Sequence, residues 1–231
     1  MGALKRRWAA TELIGNLVTT ETTTQRLVFD DPTAIQIHVV IEGIAPPVWR
    51  RLVVPLNFTL AQLHPILQAA FGWTDSHLHQ FVIGGLRYGD AEFAEAERID
   101  DDEPRTFDAT EVQLKDFCLY RVDALSFEYV YDFGDNWVHR VTLEKQLVVK
   151  PAPKKASCME GGRCCPPEDV GGTHGYDEFL RVLLKPEEDE IEEQRHLKRW
   201  SGGRFDPERF DLAKTEKAVR SALRRHPRGY P

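Results

Sequence analysis

The sequence predicts an α+β domain whose mixed or antiparallel sheet opens β-β-α-β and which closes with about three helices packed on that sheet. Three observations predict it. Ile35–Glu42 (IQIHVVIE) alternates Ile35, Ile37, Val39 and Ile41 with other residues, the period-two pattern of a strand with one buried face. Tyr129–Val141 (YVYDFGDNWVHRV) places two β-rich runs either side of Gly134-Asp135, a hairpin signature. From Tyr176 onward the apolar spacing changes to the helical i, i+3, i+4. Strands first and helices last describe α+β rather than alternating α/β. The opening order also resembles a β-grasp arrangement.

Taken in order, Val48–Val54 reads as a second strand, after a stiff Ala45-Pro46-Pro47 connection. Thr59 suits an N-cap for a helix over Leu60–Phe71, with Leu60, Leu63 and Leu67 on one face and Gly72 as the stop. Leu78–Leu86 reads as a third strand marked by Gly84-Gly85. Asp90–Asp108 reads as an acidic loop, and Glu111–Leu119 as a short element of unassigned type. Ser126–Phe133 and Asn136–Val149 form the hairpin, with Phe127, Tyr129, Tyr131 and Phe133 on one face. Lys150–Gly175 is long and rich in Pro, Gly and Cys, a length that in a compact domain usually carries function. Helices follow from Tyr176 to Pro186, from about Glu188 to Trp200, and from about Asp211 to Arg225. The organisation is then a flexible Thr-rich leader over 1–32 and one domain over 33–228, helical from about 175 to 226.

A net charge of −7 over 231 residues argues against a wholly basic nucleic-acid surface. The best local basic patch is Ala218–Arg228, which a solvated helix end explains. No run approaches the roughly 18 apolar residues that span a bilayer, and the first residues lack the apolar core of a secretory signal. Four cysteines are too few for a disulfide scaffold in this length, so a reducing cytoplasm is expected.

Three segments concentrate candidate site residues. The hairpin carries Asp132, Asp135, Trp137 and His139. Its Asp-Phe-Gly spelling matches a kinase magnesium loop, but the Gly-rich loop, strand lysine and catalytic loop a kinase needs are missing. His139 falls on the apolar side, where a hydrogen-bonded core role is the common one. Trp73–Phe81 (WTDSHLHQF) carries His77 and His79, which on a strand point the same way and could share a metal. Ser157–Gly172 (SCMEGGRCCPPEDVGG) spaces its cysteines Cys-x5-Cys-Cys, not as the two pairs of a zinc site. It also offers Glu168 and Asp169 on a loop stiffened by Pro166-Pro167, with glycines that permit close approach of backbone or ligand. There is no P-loop, dinucleotide fingerprint, HExxH or GxSxG.

PPVWRRLVVP, LAQLHPILQAAFGW, HLHQF, YVYDFGDNWVH, PPEDVGGTHGY and the closing W–FDPERFD occur here in one order. Together they resemble the Ri-plasmid ORF-three-like family (plasmid pRiA ORF-3-like, also labelled insertion-element passenger TnpR-like), over about residues 33–225. The resemblance implies proteins without an assigned reaction, some encoded on plasmids or near mobile elements. The resolvase label implies a nucleophilic Ser with an Arg cluster and a basic helix-turn-helix, and neither pattern is visible. The shared motifs fall on Trp49, His64, His77, His79, Asp132, Asp135, Trp137, His139, Glu168, Asp169 and Tyr176.

The expectation is a cleft lined by these groups, with the PPEDVGG loop over its mouth. A non-catalytic module binding a protein or small molecule is favoured. The alternative is a metal-assisted hydrolase or nuclease, with His77, His79, His139 and Asp132 or Asp135 holding a divalent metal and Glu168 as base. DNA binding through the C-terminal arginines is a third, minor reading. No cofactor is predicted beyond that metal.

Overall fold

The computed structural model describes residues 31–97, 104–118, 125–203 and 205–224. Strands β1 (Ala34–Ile41) and β2 (Trp49–Pro55) pair antiparallel, and α1 (Leu60–Phe71) follows. Next come the hairpin β3 (His79–Ile83) and β4 (Leu86–Gly89), then α2 (Ala91–Glu97) and β5 (Thr106–Asp108). The hairpin β6 (Ser126–Tyr131) and β7 (Trp137–Leu147), strand β8 (Ser157–Gly162), and helices α3 (Gly172–Leu184), α4 (Ile191–Trp200) and α5 (Leu212–Ser221) complete the order. The eight strands form one sheet in the order β5-β4-β3-β6-β7-β1-β2-β8. Every pairing is antiparallel except β4 with β5, so the sheet is mixed.

The expected α+β class and β-β-α-β opening are what the chain adopts. In β1 the alternation buries Ile35, Ile37, Val39 and Ile41 on the helix-covered face. Thr59 caps α1 through a reciprocal box with Gln62, and Gly72 ends the helix in the left-handed conformation with its N–H on Gln68 O. Nearly the whole circumference of α1 is buried, because it lies against the sheet on one side and α5 packs on its other side. Asp211 caps α5 by accepting from Lys214 N.

Several elements differ from the sequence reading. The third strand is a hairpin, since Gly84 and Gly85 both take positive φ and turn the chain into β4. The acidic 90–108 stretch contains α2 and β5, and the long Cys-rich loop contains the edge strand β8. Strand β6 stops at Tyr131, because Asp132 adopts φ 58°. Phe133 therefore leaves the buried face and stands exposed on the turn.

Residues 1–30 of the expected leader, with Arg225 and Arg228 of the basic patch, lie outside the described residues. Within them, Arg220 pairs with Glu216 across one helical turn, as a solvated helix face does. No helix among the described residues is long and apolar enough to cross a membrane.

Candidate functional site

Cross-strand register decides which side chains can meet. His79 pairs with Tyr131 and Tyr129 pairs with His139, so all four share the face covered by α1. Sharing a face does not bring the histidines together, because Tyr129 lies between them. Its ring centroid is 6.0 Å from that of His79 and 5.2 Å from that of His139.

His139 is fully buried among Phe71, Trp73 and Tyr129. Its Nδ1 donates to the carbonyls of Trp137 (3.0 Å) and Tyr129 (3.2 Å), which fixes the tautomer and leaves Nε2 bare. Burial pushes its imidazole down to about 4, so it is neutral at pH 7. The trio His77, His79 and His139 is thus not a ligand set: register separates two members, and the third leaves the strand altogether. Trp137 and Tyr176 are also core residues, both almost wholly buried.

Past Gly72 the chain runs under the loop after β8. Trp73 stacks on Tyr131 at 5.0 Å and donates from Nε1 to Pro166 O (3.0 Å). Glu168 accepts from the Tyr131 hydroxyl (2.7 Å) with Oε1, and from Thr74 N (3.1 Å) and Thr74 Oγ1 (2.5 Å) with Oε2. Both oxygens are engaged, which removes Glu168 from the role of a free base. Asp135 Oδ2 accepts from Gly171 N (3.0 Å). The PPEDVGG loop is thereby clasped to the hairpin turn and to the segment after α1.

That clasp delivers Asp169 to His77. Asp132 Oδ1 accepts from Gly134 N (2.9 Å) and Asp135 N (3.3 Å), an Asx turn that leaves Oδ2 directed toward the same imidazole. His77 Nε2 lies 2.9 Å from Asp169 Oδ1 and 3.7 Å from Asp132 Oδ2. The nitrogen is shielded from solvent and has no hydrogen bond of acceptable alignment, although both carboxylates are close. One ligand atom from each of the three residues falls within a 4.8 Å span, and no other such group occurs among the described residues. Donors around an ion at about 2.1 Å stand about 3–4 Å apart, which this spacing accommodates.

The trio stands at the edge of a cleft of about 790 Å³, which His77, His79 and Asp132 line. In its wall His64 is bound on both ring nitrogens, to Asp75 Oδ1 (2.5 Å) and to the Tyr129 hydroxyl (2.8 Å). His79 stacks on His64 at 3.4 Å, nearly parallel. Burial, then the neighbouring His64, holds the His79 imidazole well below its ordinary value.

Of the predicted residues, then, the fold gathers His77, Asp132 and Asp169. It places His79 in the cleft wall, uses Asp135 and Glu168 as anchors, and sends Trp137, His139 and Tyr176 to the core. Sequence reasoning missed Tyr131 and Thr74 as partners of Glu168, and missed Arg87 and Phe93 in the cleft lining. His64, one of the motif residues, sits four residues after Leu60 and three before Leu67, on the buried face of α1. The cysteines are all unbridged and form no ligand group among the described residues.

Residues 33–214 match the family model described as "Plasmid pRiA4b ORF-3-like protein". A curated relative from Sinorhizobium fredii (strain NBRC 101917 / NGR234), named "Uncharacterized protein y4hQ", is 35% identical over 194 residues. The match covers 81% of this chain and 91% of that one. A crystal structure titled as a protein of unknown function, MM3350 from Methanosarcina mazei Go1, is similar at 36% identity with a TM-score of 0.65. It covers 78% of this chain and 95% of that one.

Proposed function

Because this chain belongs to the plasmid pRiA4b ORF-3-like family, whose matched relatives carry no named activity, we propose a function from its own site: a ligand-binding module that holds a divalent cation at the mouth of its cleft. The observation that carries this is the shielded His77 Nε2, which two carboxylates approach without either forming a hydrogen bond to it. A proton would draw these groups into donor–acceptor alignment. An ion at their centre needs the lone pairs directed inward instead. One imidazole and two carboxylates suit Mn2+ or Zn2+ better than Ca2+, which prefers a larger all-oxygen shell. Three protein ligands leave coordination positions for a bound molecule. A place near plasmids or mobile elements is part of the proposal, supported by the family's description alone; gene neighbourhoods test it.

Titration of untagged, EDTA-stripped protein with Mn2+ by calorimetry tests the cation. One site is expected, weakened at least about tenfold in Asp169→Asn and lost in His77→Ala. A flat titration overturns the reading.

One observation favours a second reading, metal-assisted hydrolysis. His77, Asp132 and Asp169 would leave positions on a divalent ion at which a bound water could be activated at the mouth of the cleft. Turnover of bis-p-nitrophenyl phosphate by the Mn2+-loaded protein, abolished in His77→Ala, supports it; no turnover leaves the binding module.

A further inference from the structure

We infer that the cleft takes an oxyanion joined to a flat apolar group, the oxyanion bridging the cation at His77, Asp132 and Asp169 to Arg87. The inference rests on the cation reading above and adds the ligand's chemical class. Its starting point is the charge lining the cleft. Asp75 is taken up by His64, Asp90 by the N–H of Phe93, and Asp132 by the N–H of Gly134. Glu95 is also engaged. Arg87 lines the same cleft and enters no ion pair among the described residues. Among the described residues that line the cleft Arg87 is the one arginine or lysine, and its planar fork suits phosphate or carboxylate.

The acids nonetheless outnumber that one cation, so a bare anion would meet net repulsion. A divalent ion at the mouth, with open coordination positions, reverses this and supplies the second contact. Anion binding must then depend on the metal, which separates this arrangement from nonspecific attraction to an exposed arginine.

The apolar half of the ligand follows from exposure. Leu78, Phe93 and Phe133 are each more than two-fifths exposed, and all three line this cleft. Large apolar side chains grouped on a polar rim mark a ligand site more often than scattered ones do. Phe133 directly follows Asp132 on the turn and lines the same cleft. Phe93, on α2, lines the same cleft as Arg87. A flat ring between them is covered while its oxyanion reaches inward, and about 790 Å³ accommodates a ligand of that size.

The test loads the full chain with Mn2+, confirms the metal by calorimetry, and titrates phenyl phosphate, benzoate and inorganic phosphate separately. Phenyl phosphate or benzoate should bind at least about fivefold tighter than inorganic phosphate, and not without Mn2+; the better of the two identifies the oxyanion. Arg87→Ala should weaken that binding about tenfold or more while leaving Mn2+ affinity unchanged. Phe133→Ala should erase the preference over inorganic phosphate. Both residues are exposed, so neither variant threatens the fold. Mn2+ binding with no uptake of either aromatic anion, or uptake indifferent to Arg87→Ala, overturns this inference and leaves the cation reading standing. Absence of Mn2+ binding overturns both.

Discussion

Glu168 Oε1 accepts a 2.7 Å hydrogen bond from the Tyr131 hydroxyl, and this bond ties the PPEDVGG loop to the sheet beside the proposed cation ligands. The same hydroxyl accepts from Ser76 N (3.0 Å). Burial, then the Glu168 carboxylate, pushes the Tyr131 phenol above its ordinary value, so it stays protonated as the donor this bond requires. Tyr131→Phe leaves a carboxylate oxygen and a backbone N–H without their partner, a loss of about 1–3 kcal/mol. Denaturant unfolding should show it, and Mn2+ affinity should fall with it, because Asp169 follows Glu168 directly.

Gly172 is the close approach in the clasp. A Cβ there would stand 2.5 Å from the carbonyl oxygen of Asp135, and its φ of 67° is itself unfavourable for side chains. Gly172→Ala must displace the loop or the turn, at about 2 kcal/mol or more. The expected outcome is a lower unfolding midpoint together with weaker Mn2+ binding. An Ala variant of wild-type stability would remove the close contact from the account.

The buried imidazole of His139 makes stability depend on pH in a defined window. Its folded value of about 4 lies below the ordinary 6.5, so the unfolded chain takes up the proton first. The stability it contributes is complete above about pH 6.5 and is lost as pH falls through the folded value, by up to about 3 kcal/mol in all. His79, also depressed, acts in the same direction. Urea unfolding between pH 4 and 8 should show this slope, reduced in His139→Leu.

Tyr176 carries a buried hydroxyl with no hydrogen-bond partner among the described residues, packed between Phe179 and Phe205. Its burial raises the phenol, and nothing in the cleft reaches it. Tyr176→Phe should be neutral, or more stable by about 1 kcal/mol, and bind Mn2+ as the wild type does. A thermal melt with a calorimetric titration checks both.

Much of this fold can be read locally. The alternation in β1, the Thr59 cap and Gly72 stop of α1, and the hairpin around Gly134 each follow from neighbouring residues. What local reading misses follows from long-range partners. Asp132 ends β6 two residues early because its side chain takes the turn's N–H groups, which puts Phe133 outside the core. Strand β8 has little strand composition of its own and exists because β2 offers it an edge. The site was partly legible for the same reason. Motif spelling singled out His77, Asp132 and Asp169, but their grouping depends on Glu168, Tyr131 and Gly171 holding a loop in place. The symmetric choice of three histidines failed because alternation assigns a face and not a neighbour: Tyr129 stands between His79 and His139. Arg87 and Phe93 lie in a stretch without periodicity, where nothing in the sequence distinguishes a cleft wall from a loop.

The most direct test of the cation centre is the metal content of untagged protein dialysed against Mn2+ and then metal-free buffer, measured by elemental analysis on wild type and three variants. The account predicts about one ion per chain in wild type and in His79→Gln. It predicts none in His77→Ala and a marked loss in Asp132→Asn. Metal-free wild-type protein that gains no thermal stability from Mn2+ or Zn2+, or an ion that survives His77→Ala and leaves with His79→Gln, would contradict it.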